Sequence, residues 1–209
     1  EIFEQPKAVA DTLMARLSDN KQILLDEIHL TPAEIKSLEK IVVIACGTAY
    51  HAGMIAKYAI EKWAKISVEV EIASEYRYRD PIITKNTLVI AISQSGETMD
   101  TLMALRHAKA AGARVLAICN TNSSTIPRES DAVIYTHAGP EIAVASTKAL
   151  LTQIVAVYLI GLHLAQVRSE LTDNEVADLY NEMLELPGKI EQILETVEPL
   201  RALTRKFAD

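Results

Sequence analysis

The stretch LVIAISQSGETMDTL, residues 88–102, decides how this chain is read. Five apolar residues run into Ser93-Gln94-Ser95-Gly96-Glu97-Thr98, and a helical pattern begins at once. The pattern predicts a buried strand, a short hydroxyl-rich turn and a helix N-terminus. Such an end presents unpaired backbone N–H groups and about half a positive charge, a natural seat for a phosphate. Ser93, Ser95 and Thr98 add hydroxyls, Gln94 adds an amide, and Gly96 lets the backbone come close. No Lys or Arg lies between Ile92 and Leu105. An anion here must therefore be held by neutral donors and the helix end. The same residues also suit an ordinary capped turn, since Ser and Thr cap helices generally.

Similar apolar runs surround this one: IVVIA (41–45), VEVEI (68–72), VLAIC (115–119) and AVIY (132–135). Helical stretches lie between most of them, notably 50–64 and 98–111, the latter stopped by Gly112. Strands alternating with helices imply parallel pairing. Runs apolar on both faces imply a sheet covered on both sides. The expected fold class is α/β, a three-layer α/β/α sandwich on a five-stranded parallel sheet, with flanking helices at both ends. A helix over 6–18 and another from Thr31-Pro32 precede the sheet. A long apolar helix spans 146–167. A helical tail covers 173–207, interrupted near Pro187-Gly188 and at Pro199. The whole chain, 1–209, is expected to be one domain with its core at about 38–167, N-terminal helices at 1–37 and a tail at 170–209.

In open parallel sheets ligands bind beyond the carboxyl ends of the strands. With strand order 2-1-3-4-5, the first and third strands are neighbours. The loop Cys46-Gly47-Thr48-Ala49 then faces the loop Ser93 to Thr98 across one cleft. Other phosphate motifs fail: no G-x-G-x-x-G occurs, and Met54 stands where a Walker A loop needs Lys.

The net charge is −7, from 21 Lys and Arg against 28 Asp and Glu, which disfavours a nucleic-acid binder. The two cysteines, Cys46 and Cys119, form no disulfide framework and suit a reduced, cytoplasmic setting. Cys46 reads as a structural thiol rather than a nucleophile, because no His and acid can be assigned to it. The five histidines show no metal-ligand spacing, so no metal is assigned. His51 lies near the cleft, where a packing or exposed role outweighs catalysis. Residues 149–165 approach the length of a membrane span but contain Thr152, Gln153 and His163; a buried core helix is expected. Ser146 or Thr147 is expected to cap that helix. The charges of Ser74 to Arg79 read as a solvated loop, though Tyr and Arg also suit a subunit contact. Glu97 would repel a phosphate and is expected to point away or pair elsewhere.

Taken together, ACGTAYHAG (45–53), ASEYRYR (73–79), SQSGETMDTL (93–102), ICNTNSSTIPRESD (118–131) and GPEIAVASTKA (139–149) resemble one known module. It is the first half of the isomerase part of the glutamine:fructose-6-phosphate amidotransferases, a sugar isomerase (SIS) domain. The opening EIFEQP resembles the segment after those enzymes' glutaminase domain. The resemblance spans essentially the whole chain. It implies conversion of fructose 6-phosphate and glutamine to glucosamine 6-phosphate and glutamate, without a cofactor. By the family pattern, Ser93, Gln94, Ser95 and Thr98 hold the phosphate. Cys46, Gly47 and Thr48, with Val144, Ala145 and Ser146, line the sugar. Ala49 stands where the family often has Ser, so only its backbone N–H remains as a phosphate donor. The lost hydrogen bond is worth about 0.5–1.5 kcal/mol.

The resemblance also implies partners: a second SIS domain, which carries the family's catalytic Lys, Glu and His, a glutaminase domain, and a second copy in a homodimer. No residue here matches the catalytic groups. The chain is therefore expected to bind the sugar phosphate without turning it over, with no nucleic-acid or membrane partner. Two other readings stay open, a non-catalytic SIS sensor of sugar phosphates and a stand-alone phosphosugar isomerase.

Overall fold

The computed structural model describes residues 1–143 and 145–207. In chain order the elements are α1 (Gln5–Leu13), α2 (Pro32–Ser37), β1 (Lys40–Ala45), α3 (Thr48–Ala64), β2 (Ser67–Ile72), α4 (Ala73–Arg79), β3 (Thr87–Ser93), α5 (Met99–Ala110), β4 (Arg114–Cys119), α6 (Thr125–Glu129), β5 (Ala132–Tyr135), α7 (Lys148–Val167), α8 (Asp173–Leu184), α9 (Leu186–Glu195) and α10 (Glu198–Arg205). The five strands form one parallel sheet in the order β2-β1-β3-β4-β5.

Alternate residues of each central strand enter two separate cores, as the strand period of two requires. Ile41, Val43, Ile90, Ile92 and Ile118 pack under α1, α3, α7 and α8. Val42, Ile44, Val89, Ala91 and Ala117 pack under α4, α5 and α6. The three-layer sandwich is therefore present. Helix α7 is long and apolar enough to cross a membrane by length and composition. In the structure it packs against α3 and α1, with Val155, Ala156, Val157, Leu159 and Ile160 buried. Lys148 at its start is buried too and pairs with Glu4, tying the N-terminal segment to the helix.

Three boundaries differ from expectation. The helix expected over 6–18 ends at Leu13, because Met14 leaves the helical region and Ala15 takes φ 57°. The chain then folds back through a bridge between Leu17 and Ile23. Its apolar residues Ile23, Leu25 and Ile28 are buried. Gln166 of α7 accepts from the Ile23 N–H at 2.9 Å and so anchors the segment. Residues 74–79 are not a solvated loop: they form α4, whose Tyr76 is fully buried and whose Arg79 pairs with Glu71 at 2.8 Å. In the tail, Pro187 and Pro199 begin helices rather than break them, each in the first turn where its missing N–H costs nothing.

Candidate functional site

Strands β1 and β3 are hydrogen-bonded neighbours, with Ala45 beside Ile92. The chain leaves both at the same sheet edge, so their loops meet. Between them lies a cleft of about 350 Å³. Cys46, Gly47, Thr48 and Ala49 line it from the β1 side, and Ile92, Ser93, Gln94, Ser95 and Thr98 from the β3 side. Glu141, Ala143, Ser146 and Gln153 close it from the connection into α7 and from α7 itself.

The β3 loop is built by its own hydroxyls. Ser93 is buried; its Oγ accepts from the Gly96 N–H at 3.0 Å and lies 3.0 Å from Thr98 Oγ1. Ser95 Oγ accepts from the Glu97 N–H at 3.2 Å, leaving its own proton to donate. Gly96 takes φ 68°, and a Cβ there would lie 1.9 Å from Ser124 Oγ. Only glycine meets both conditions. Its carbonyl accepts from the Ile126 N–H at 2.9 Å, fastening the loop to α6. Glu97 turns away from the cleft, as expected. Its Oε1 accepts from the Thr125 hydroxyl at 3.0 Å and the Thr125 N–H at 2.8 Å. Those two bonds hold its carboxyl below the usual carboxylate range.

The electrostatics follow from the helix ends. Thr98 is the N-cap of α5 and Gly47 the N-cap of α3, and neither makes a side-chain cap. By contrast, α2 and α8 carry complete capping boxes from Thr31 with Glu34 and Thr172 with Glu175. Open N–H groups and the positive ends of two helix dipoles thus reach the cleft together. Gly47 takes φ 59°, which turns the chain from β1 straight into α3. Among the described residues the lining includes no Lys or Arg, and its one charged group is Glu141.

The loop before α7 differs from expectation. Ser146 and Thr147 do not cap the helix with their own side chains. Glu141 does so. Its Oε1 accepts from the Thr147 N–H at 2.7 Å and hydroxyl at 2.9 Å, and its Oε2 accepts from the Ser146 hydroxyl at 2.9 Å. Burial pushes this carboxyl up, but those hydrogen bonds outweigh it and leave it below the usual range.

The structure thus brings Cys46, Gly47, Thr48, Ala49, Ser93, Gln94, Ser95, Thr98 and Ser146 to one cleft. Ala145 is exposed and absent from the lining, where Ala143 stands instead. Val144 lies outside the described residues. Cys46 Sγ accepts from Thr101 Oγ1 at 3.8 Å. Cys119 is buried behind the β3 loop, which pushes its thiol pKa up, so it is a structural thiol. His51 is exposed and stacks edge-on with Tyr50. Sequence reasoning assigned no role to Glu141 or Gln153. Both were visible as polar residues, one beside and one inside an apolar helix.

The SIS domain family model matches residues 34–162, more than half of the chain. The chain belongs to the SIS domain family. This SIS domain is 62% identical over its full length to the glutamine–fructose-6-phosphate aminotransferase [isomerizing] of Streptomyces coelicolor and 56% identical to that of Corynebacterium glutamicum. It spans about a third of the length of those relatives, 34% in each case. Among solved structures it is similar to the C-terminal domain of the glucosamine-fructose-6-phosphate aminotransferase of Francisella tularensis. That match has a TM-score of 0.91 at 41% identity, covering 100% of this chain and 58% of that one. The sheet and its helices therefore match the fold class expected from the sequence.

Proposed function

We propose that this chain is the sugar-phosphate-binding SIS domain of an isomerising glutamine–fructose-6-phosphate aminotransferase. The ligand is fructose 6-phosphate or the product glucosamine 6-phosphate. The observation that carries the reading is the meeting of two uncapped helix N-termini, α3 and α5, in a cleft rich in hydroxyls. A phosphate dianion accepts from those N–H groups, from Gln94, from the Ser95 hydroxyl, and from whichever of Ser93 and Thr98 does not donate within their shared hydrogen bond. The backbone at Ala49 adds one donor from the first turn of α3. The sugar lies against Cys46 to Thr48 and Ser146. Names and full-chain identities of the relatives support the substrate.

Among the described residues, no group in the cleft is placed to move a proton on the sugar. Glu141 is engaged by three donors, and Cys46 has no His partner in the lining. The chemistry belongs to the parent enzyme's second SIS domain and glutaminase domain. The enzyme is a cytoplasmic homodimer in this reading. Two free thiols support the compartment, and the exposed Tyr78 of α4 and Ile82 just after it support a subunit contact.

Calorimetric titration tests the binding. Fructose 6-phosphate is expected to bind and free fructose to give no measurable heat; equal binding of both would overturn a phosphate-led site. Incubation with fructose 6-phosphate and ammonia is expected to yield no glucosamine 6-phosphate. Its formation by the 209-residue chain would overturn the division of labour.

A further inference from the structure

Helix α7 contributes to the cleft a polar side chain with an unmet need. Gln153 is 2% exposed and lines the cleft. Its carbonyl oxygen Oε1 is buried and has no hydrogen-bond partner among the described residues. Its buried helical neighbour Thr152 solves the same problem locally, donating to the Ala149 carbonyl at 3.0 Å. Buried polar groups in folded proteins are nearly always paired, so an exception needs a cause. Among the described residues the other such atom is the Tyr76 hydroxyl, which is in the second core and does not line the cleft. A helix this apolar would accept Leu or Met at position 153 with no unpaired group to bury.

The rest of the cleft says what could pair with it. The α3 and α5 ends and the Ser95 hydroxyl offer donors. The connection into α7 offers acceptors. Glu141 is a carboxylate, and the Ser146 hydroxyl donates its hydrogen bond to it, so Ser146 Oγ has only lone pairs to offer a ligand. Gln153 Oε1 adds a third acceptor to this set. A phosphate dianion also only accepts, and gains nothing from these three oxygens. A sugar hydroxyl is both donor and acceptor and satisfies them. The cleft is thus chemically two-ended, matching a ligand with phosphate at one end and hydroxyls at the other.

We infer that Gln153 is a sugar-binding residue, whose side-chain carbonyl accepts a hydrogen bond from a hydroxyl of the bound sugar. The inference rests on the sugar-phosphate reading of the cleft and adds a residue that selects the sugar rather than the phosphate. The two are tested apart by using two ligands. Gln153→Met keeps the length and removes the carbonyl. Calorimetry should show fructose 6-phosphate weakened on the order of tenfold, which is 1.4 kcal/mol. Inorganic phosphate should bind the variant and the unsubstituted chain within about twofold, since a hydrogen bond the phosphate does not make cannot be lost. The thermal midpoint should be unchanged or raised, because an unpaired buried group is gone. Equal loss of both ligands, or loss of neither, overturns the inference and leaves the phosphate site standing. Failure of the unsubstituted chain to bind either ligand removes the phosphate site and the inference with it. A second measurement needs no variant. The Gln153 side-chain amide signals in a nitrogen–proton NMR correlation should move on adding fructose 6-phosphate and stay still on adding inorganic phosphate; identical responses would also overturn it.

Discussion

Ser93 Oγ and Thr98 Oγ1 stand 3.0 Å apart, joining the end of β3 to the N-cap of α5 across the turn between them. The same Ser93 oxygen receives the Gly96 N–H. Ser93 therefore shapes the loop from inside, while Ser95, half-buried on the cleft wall, is spent on less structure.

That difference separates two serines that look alike in sequence. Ser93→Ala leaves the Gly96 N–H buried without its acceptor and should destabilise the fold by about 1–3 kcal/mol. Ser95→Ala should cost little stability and weaken fructose 6-phosphate by about 1.5–3 kcal/mol, the worth of a hydroxyl bonded to a charged group. Urea unfolding and calorimetry on both variants check the split. An unchanged affinity in Ser95→Ala would remove that hydroxyl from the site.

Gly96 carries a sharper constraint. Alanine there must adopt φ near 68° and place a Cβ 1.9 Å from Ser124 Oγ and 2.8 Å from Cys119 Sγ. The left-handed conformation alone costs about 1–2 kcal/mol, and the overlap adds to it. Gly96→Ala should therefore lose at least about 2 kcal/mol in urea unfolding, together with sugar-phosphate binding. Retention of both would show that the loop relaxes freely and is not the rigid cradle described above.

Much of this arrangement was legible beforehand, for physical reasons that also explain the gaps. Strands such as Val89 to Ile92 are buried on both faces, so their apolar runs stood out without any periodicity. The cleft followed from strand order, since β1 and β3 had to be neighbours for their loops to meet. Ile23, Leu25 and Ile28 were not legible as core, because nothing local buries them. They are covered only because Gln166 and His163 of the distant α7 hold that segment in place. Tyr76 was hidden in the same way, in a helix of seven residues too short to display a period. Glu141 read as part of a connection because its three donors converge only once the loop is folded.

Ala49 tests whether the first turn of α3 faces the phosphate. It is 7% exposed, lines the cleft and follows the uncapped start of that helix. Ala49→Ser adds a hydroxyl donor where the family often has one. Fructose 6-phosphate and inorganic phosphate should both bind tighter, by about 0.5–1.5 kcal/mol each. Tightening of the sugar phosphate alone would place this turn on the sugar instead.

Glu141 gives the cleft a pH dependence whose sign is set by its hydrogen bonds. Its carboxyl titrates below its usual range in the folded chain. Its stabilising contribution is therefore complete above the ordinary carboxylate pKa. It is lost as pH falls through the lower folded-state value, because protonation removes the acceptor that Ser146 and Thr147 share. Glu141→Ala removes the cap of α7 and should cost about 0.5–2 kcal/mol at pH 7. As pH falls through that lowered value the original chain loses the same interaction, so the gap between the two proteins should narrow. Urea unfolding of both proteins in a series running from pH 7 down through the carboxylate range measures this. A gap that stays constant would mean that Glu141 acts through packing and that its charge does not hold the loop.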